Sequence, residues 1–368
     1  MRKVVVIAPT FNEKGNVEKL VEQIFNQTKN VPNWEIHLLI VDSYSKDGTA
    51  EIVKKLQNRY HHLHLLETEK EGLGKAYIRG YRYSEEKINP YLIIQIDGDG
   101  QHDPNKIPEF IKKIEQGADF VVGTRYSKGG SIPPNWGLHR KILSFCANIF
   151  IRFGFMKPKI TEWTNGYRAV KFWLVKNSYE YLRNYSGYVF QVASLDFALR
   201  NNAILDEIPI HFKERTSGIS KINAFQYSFQ TFVYVFTHSS FIKFVIVGFI
   251  GFGIDFGISY LGIQKFHQAV WAITLMSTET AIISNFFMNN FWSFRHKKIE
   301  GGPLNFLSSF LKFNFVSSGS IAIQTIGMQI LVGFFGRKLW YLYKILIIAF
   351  IIIPYSYILY NKFIWKGK

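Results

Sequence analysis

"IIQIDGDGQHDP" spans Ile93 to Pro104, and its reading decides the fold. An apolar run ends in two aspartates one residue apart, with two glycines and a glutamine around them. A short apolar run bounded by turn residues reads as a buried strand. Comparable runs precede and follow it: "KVVVIAP" from Lys3, "IHLLIVDS" from Ile36 and "DFVVGTR" from Asp119. Between the first runs, "NVEKLVEQIFNQ" and "TAEIVKKLQNRY" have helical periodicity. Strands alternating with helices predict an α/β, Rossmann-like domain with a mainly parallel sheet, over residues 1–221. Ligands bind such sheets at the carboxyl ends of the strands. Those ends read "APTFNE", "VDSYSKDGT", "DGDGQ" and "GTRY", so polar residues gather where a site is expected.

Asp97 and Asp99 flank Gly98 just past a strand, and alternate residues of extended chain project the same way. Two converged carboxylates repel, so the arrangement calls for a cation. Hard divalent ions suit oxygen ligands and commonly bind substrate phosphates as well. Gln101 continues the alternation with another oxygen. A calcium EF-hand loop counted from Asp97 would need glycine and glutamate where His102 and Pro108 stand. The plain alternative is a polar turn. "EGLGKAYIRG" adds Gly72, Gly74 and Lys75; glycine turns let backbone approach a ligand, and lysine offers charge to phosphate. Asp47 reads as a helix N-cap before "TAEIVKKL".

The chain of 368 residues carries a formal net charge of +17, which points to an anionic partner such as acidic lipid or a phosphorylated substrate. Nucleic acid would suit that charge equally. The single cysteine, Cys146, excludes an intrachain disulfide framework and a cysteine-based zinc site. "MRKVVVIAPTFNE" does not read as a signal peptide. Beyond Phe241 the composition shifts to long apolar segments, and we expect four membrane helices at about 241–263, 269–294, 306–335 and 340–364, forming a domain over 239–368. The basic "RHKKIEGGP" and "NKFIWKGK" then fall on the side of the N-terminal domain, which makes that side cytoplasmic. Residues 140–155 and 222–238 read as amphipathic helices lying in the membrane interface. Asp255 and Glu279 sit inside membrane segments at similar depth, roughly 21 Å from their cytoplasmic ends at 1.5 Å per residue. Both are expected to face the bundle interior.

"APTFNE", "VDSYSKDGT", "EGLGKA", "DGDGQHDP", "VVGTRY" and "TNGYRAV", in that order, resemble the family 2 glycosyltransferases of the GT-A fold, and the dolichol-phosphate mannose synthases most of all. The tail resembles GtrA-like four-helix membrane proteins through "FVIVGFIGFGIDF" and "SNFFMNNFWSF". The resemblance implies a metal-dependent enzyme of the cell membrane. It transfers mannose from GDP-mannose to dolichyl (polyprenyl) phosphate, with Mg²⁺ or Mn²⁺ as cofactor and no nucleic-acid partner. Pro9, Phe11, Glu13, Val41, Asp42, Lys75, Asp97, Gly98 and Asp99 would bind the nucleotide sugar. Asp97, Asp99 and Gln101 would hold the metal. Arg125 would approach the donor. Arg140, Ser144 and Asn148, from the "R-x-x-x-S-x-x-A-N" helix, would lie at the acceptor lipid phosphate with Arg215, Ser220 and Lys221 of "ERTSGISK". Asp99, Arg125, Arg215 and Lys221 would be the catalytic set. Ala193 stands where the family often has glutamate.

An acceptor phosphate is already ionised near neutral pH, so no strong base is needed. The rate would come from positioning and from stabilising the departing diphosphate. One in-line displacement would invert the sugar carbon. Two rivals remain: a dolichyl-phosphate glucose synthase using UDP-glucose, and a non-enzymatic scaffold or lipid-sugar flippase. A processive polysaccharide synthase is disfavoured because no Arg-Trp pair occurs in the chain.

Overall fold

A computed structural model describes residues 1–187, 189–213 and 224–366. Arg215, Ser220 and Lys221 lie outside the described residues. The chain divides into two compact units, Met1–Tyr234 and Val235–Lys368.

The first unit is built on seven strands: β1 (Arg2–Thr10), β2 (Trp34–Asp42), β3 (Leu63–Glu67), β4 (Leu92–Gln95), β5 (Phe120–Thr124), β6 (Arg168–Lys171) and β7 (Leu205–Pro209). Their order is β3-β2-β1-β4-β6-β5-β7. Pairing is parallel except around β6, which runs antiparallel to both β4 and β5. The mainly parallel sheet expected from the alternation is therefore present, with one reversed strand that the sequence reading did not anticipate. Helices α1 (Lys14–Phe25), α2 (Thr49–Leu56), α3 (Leu73–Lys87), α4 (Ile107–Glu115), α5 (Leu138–Gly154), α6 (Phe172–Leu182), α7 (Val189–Arg200) and α8 (Ala224–His238) complete the layers.

Val4 to Ala8 are all fully buried, because helices cover both faces of a parallel sheet. One core packs Val4, Val6 and Ala8 with Ile36, Leu38 and Ile40 against Val17, Val21 and Ile24 of α1 and Phe110 and Ile114 of α4. On the other face, a Cβ at Gly80 of α3 would lie 3.0 Å from Ile7 Cγ2 and 3.2 Å from Val41 Cγ2, so glycine there sets how closely α3 approaches the sheet.

The second unit is helical: α9 (Ser240–Tyr260), α10 (Val270–Met288), α11 (Pro303–Phe335), α12 (Trp340–Ile347) and α13 (Ile353–Phe363). Single π-turns extend α9 and α10 and join α12 to α13. The expected four segments are thus all helical, and three of them, Ser240–Lys265, Pro303–Phe335 and Leu342–Phe363, are long and apolar enough to cross a membrane. The α10 segment carries Thr274 and then, in succession, Ser277, Thr278, Glu279 and Thr280, and falls short of that hydropathy. It packs closely on α9, where Gly251 leaves room for Asn285. An aromatic cluster of Phe286, Phe294, Phe313, Tyr360 and Trp365 ties the ends of α10 and α13 to α11. Within it Phe294 stacks on Trp365 at 4.5 Å, and Trp365 Nε1 donates to Asn290 Oδ1 at 3.0 Å.

Asp255 does face a neighbouring helix: its Oδ1 accepts from Ser277 Oγ at 2.6 Å and from Thr278 Oγ1 at 3.3 Å. Glu279 does not; it is exposed on α10. The expectation that both turn inward is corrected for Glu279. Ser277 already satisfies Asp255, and two residues further along α10 the side chain points away.

Candidate active site

β1 and β4 are adjacent, yet the chain leaves β1 toward β2 and returns on the opposite side. That reversal makes the β1/β4 boundary the switch point where open α/β sheets bind ligands. The Asp97–Gln101 loop stands there. A Cβ on Gly98 would lie 2.9 Å from the Pro9 carbonyl oxygen and 2.8 Å from Thr10 Cγ2. Only glycine lets the loop rest on the end of β1. Asp99 is buried, and its Oδ1 accepts the Gln101 backbone N–H at 3.1 Å. The Asp97 backbone N–H donates to His102 Nδ1 at 3.1 Å, so His102 Nε2 carries the proton and donates to Asn165 Oδ1 at 3.0 Å. Gln101 is braced from the other side: its Nε2 donates to the Lys213 carbonyl, and the Lys213 N–H returns a bond to the Gln101 carbonyl, both at 3.0 Å.

The remaining donor-site candidates fall into distinct places. Pro9, Phe11 and Glu13 lie at the end of β1, and Lys70 Nζ sits 3.7 Å above the Phe11 ring. Asp42 is fully buried and accepts from Thr10 Oγ1 at 2.9 Å, from Ser45 N at 2.7 Å and from Ser45 Oγ at 2.6 Å. It therefore fixes the β1 and β2 loops to one another. Val41 packs its side chain into the core against Gly80, leaving only backbone for a ligand. The N-cap of α2 is Gly48, so Asp47 stands one residue before the expected place; it still accepts the Thr49 N–H at 3.0 Å and also the Lys14 N–H at 2.9 Å.

The glycine turn before Lys75 has another use. A Cβ at Gly72 would lie 2.6 Å from the Ser186 carbonyl oxygen, and the Gly74 N–H donates to that oxygen at 2.7 Å. These glycines admit the 185–187 segment of the chain, which corrects the expectation that they open backbone to a ligand. Lys75 itself is half-buried on the first turn of α3.

Arg125 is paired. Its Nε donates to Glu162 Oε1 at 2.8 Å, its backbone N–H to Glu162 Oε2 at 2.7 Å, and its Nη2 also reaches Glu162. Burial opposes the charge, but the Glu162 carboxylate outweighs it and holds the guanidinium pKa above its ordinary value. Trp136, Tyr126 and Phe212 surround it, each ring centre within 5.2–5.5 Å of Cζ. Glu162 is held in turn by Glu207, which accepts from Thr161 N at 2.7 Å, Thr161 Oγ1 at 2.9 Å and Glu162 N at 3.3 Å.

On α5, Arg140 lies 3.8 Å over the Trp136 ring, and Ser144 Oγ accepts from the Tyr126 hydroxyl at 2.7 Å. Asn148 is turned inward: its Oδ1 accepts the Trp163 N–H at 2.8 Å and its Nδ2 donates to the Ser144 carbonyl at 3.0 Å. It is 2% exposed and ties α5 to the 161–164 segment.

Three side chains without an assigned role frame this site. Glu162 is one. Arg168, fully buried, donates to the carbonyls of Asn165 and Trp163 at 2.7 Å and to that of Gln191. Burial draws its pKa down to about 10, so it remains charged at neutral pH. Gln191 is 1% exposed with both amide atoms unpartnered among the described residues. A Cβ at Gly166 would lie 3.3 Å from Asp97 Oδ1 and 3.4 Å from Gln191 Nε2, so both groups border that glycine. One signal was legible: Glu162 is the only acid between Asp119 and Glu180, in a run otherwise basic and apolar. A lone carboxylate in such a run has a cation to meet.

Residues 5–183 match the family described as "Glycosyl transferase family 2", and residues 243–365 match "GtrA/DPMS, transmembrane domain". A dolichol-phosphate mannosyltransferase from Pyrococcus furiosus is 30% identical over 340 residues, 89% of this chain and 90% of that protein. The chain belongs to the dolichol-phosphate mannosyltransferase family. It is a glycosyltransferase and, through its GtrA/DPMS domain, a membrane protein. A polyprenol monophosphomannose synthase from Mycolicibacterium smegmatis is 31% identical over 226 residues, 60% of this chain and 82% of that protein. Among solved structures, a glucosyl-3-phosphoglycerate synthase from Mycobacterium tuberculosis matches at TM-score 0.46 and 15% identity, covering 64% of this chain and 80% of that one.

Proposed function

We propose that this glycosyltransferase moves mannose from GDP-mannose to dolichyl (polyprenyl) phosphate with inversion, at the cytoplasmic face of the membrane. The observation that carries the reading is the match to a dolichol-phosphate mannosyltransferase along 89% of this chain, through both units.

The donor set fits a hard divalent ion. Asp97 and Asp99 offer carboxylate oxygens at the switch point, and glycine between them keeps the loop seated on β1. Asp97, Asp99 and Gln101 would hold Mg²⁺ or Mn²⁺, which when bound neutralises charge on the departing diphosphate. The chain's own residues do the rest. Asp42 keeps the two loops around the nucleotide in register. Glu162 holds the Arg125 guanidinium in place among its aromatic neighbours, so Arg125 acts as a fixed donor of hydrogen bonds. Arg168 contributes a buried positive charge behind the 163–167 segment that borders Asp97, favouring anionic ligands nearby. Arg140, Ser144, Arg215, Ser220 and Lys221 are assigned to the acceptor phosphate.

The lipid would arrive along α5 and α8. Ile142, Phe145 and Phe153 on α5 are 51–61% exposed, and Phe229 and Phe232 on α8 are 50–60% exposed. Phe150 and Phe232 stack at 5.4 Å, so the two helices present apolar surface side by side. Such a surface suits the headgroup boundary of a bilayer.

Detergent-purified protein with dolichyl phosphate and Mg²⁺ or Mn²⁺ tests the reading, comparing radiolabelled GDP-mannose with UDP-glucose, each with and without EDTA. Label from GDP-mannose should enter the organic phase and EDTA should stop it. Transfer from UDP-glucose alone would reassign the donor. Binding without transfer from either would overturn the proposal.

A further inference from the structure

At the opposite end of the sheet, two alternating pairs lie on adjacent strands. Glu35-x-His37 belongs to β2, and His62-x-His64 runs from the preceding turn into β3. Period-two alternation puts each pair on one face, and the parallel pairing of β2 with β3 brings the two together. Glu35 Oε1 lies 2.9 Å from His37 Nε2 and 3.2 Å from His62 Nδ1. Two imidazole nitrogens therefore converge on one carboxylate oxygen. One ligand atom from each of Glu35, His37 and His62 falls within 4.8 Å of the others.

We propose that Glu35, His37 and His62 form a second metal site, selective for a zinc-type divalent cation and separate from the active site. Imidazole nitrogens with one carboxylate suit Zn²⁺, Co²⁺, Ni²⁺ or Cu²⁺ and are poor ligands for Mg²⁺. Three protein ligands leave a fourth position for water, and side-chain exposures of 43% for His62 and 29% for Glu35 give an ion access from solvent.

The outer groups favour the same assignment. His64 Nε2 lies 3.2 Å from His37 Nδ1, and Tyr83 Oη lies 3.4 Å from His64 Nδ1. Without an ion, Tyr83 donates to His64, His64 to His37, and His37 to Glu35. With an ion, the His37 and His64 protons shift to the δ nitrogens, while His62 carries its proton on Nε2 so that its Nδ1 can bind. His37 Nδ1–H then donates to His64 Nε2, and His64 Nδ1–H to Tyr83 Oη. His37 Nε2 is left with a lone pair for the metal, and the proton count does not change. A metal-bound histidine commonly has its far nitrogen fixed in this way. The site would clamp the turn before β3, an edge strand of five residues, to β2. It cannot reach the reacting atoms: His37 stands five residues before Asp42, roughly 16 Å along an extended strand.

The test uses untagged full-length protein in detergent, stripped with chelator and titrated with Co²⁺ alone. One saturable equivalent is expected to give the visible d–d bands of a low-coordinate site that Zn²⁺ displaces, apart from any Co²⁺ held by the oxygen ligands of the active site. His62→Ala and Glu35→Gln should each weaken binding by at least about tenfold, and His64→Gln by about 10–100-fold with the bands retained. Asp99→Ala should leave it unchanged. Circular dichroism confirms that the variants fold; His62, being partly exposed, is the variant least able to disturb the core. No saturable binding by the wild-type chain, or undiminished binding by His62→Ala, would overturn the proposal.

Discussion

Gly98 and Glu162 show how single residues set the site. A methyl group at position 98 meets the Pro9 carbonyl at 2.9 Å, and backbone cannot yield as a flexible side chain would. Gly98→Ala should therefore shift the Asp97/Asp99 loop and cut kcat/KM for the donor about 10²-fold, as small misplacements near reacting groups do. Thermal unfolding should change little. Asp99→Asn should lower transfer about 10²–10³-fold, because charge stabilisation at the leaving group is removed. Glu162→Gln leaves Arg125 buried without its carboxylate. Breaking a buried pair costs about 3–5 kcal/mol, and a double variant with Arg125→Met should recover part of it. The midpoint of thermal unfolding in detergent, taken for both single variants and the double, checks this; a double-variant loss equal to the sum of the two single losses would show that the pair is not coupled. The aspartate loop was legible because both carboxylates and their glycine lie within three residues. The Arg125–Glu162 pair was not, since its members are 37 residues apart and only the fold joins them.

At the scale of elements, α5 and α8 carry the argument. Their helical periodicity was readable in sequence, and both are helices here, Leu138–Gly154 and Ala224–His238. The periodicity did not reveal that each helix divides its side chains between two partners. On α8, Tyr234 is buried and its hydroxyl donates to Asp196 Oδ2 of α7 at 2.7 Å, while Phe229 and Phe232 remain exposed. On α5, Asn148 and Ile151 are buried, while Ile142 and Phe145 remain exposed. One face of each helix is therefore anchored to the domain and another stays exposed. A charge on the outward face, Phe145→Glu or Phe229→Glu, should raise KM for polyprenyl phosphate several-fold and leave KM for the nucleotide sugar unchanged. Steady-state kinetics with each substrate varied in turn checks this; a parallel rise in both KM values would count against the surface as a lipid path.

For the whole molecule, stability should depend on pH through Glu207. Burial pushes this carboxyl above its usual range, and the Thr161 and Glu162 donors recover only part of the shift. A folded-state pKa raised above the unfolded one gives stability that is fully present at low pH and is lost as pH rises through the raised value. Glu207→Gln removes that slope. As pH rises from about 4 through that raised value, the melting midpoint of the variant should therefore rise relative to wild type. A constant difference across that window would show that Glu207 does not titrate there. At the same scale, the helical unit keeps Asp255 by giving it Ser277 and Thr278 from α10, a local settlement of a costly group.

The sequence by itself determined four of the seven strands, β1, β2, β4 and β5, the helices α1, α2, α5 and α8, the polar loops at those strand ends and the apolar segments of the second unit. Each of these is written in neighbouring residues, as an alternation, a helical period or a run of apolar side chains. Tertiary structure decided what those residues meet. The glycines before Lys75 admit Ser186, Asn148 turns toward Trp163, Arg125 is neutralised by Glu162, and Glu35 gathers His37 and His62. The physical reason is strand order: β4 returns beside β1, β6 runs backward between β4 and β5, and β3 lies beside β2. Partners distant in the chain become neighbours only when the sheet is assembled, and no local period encodes that order.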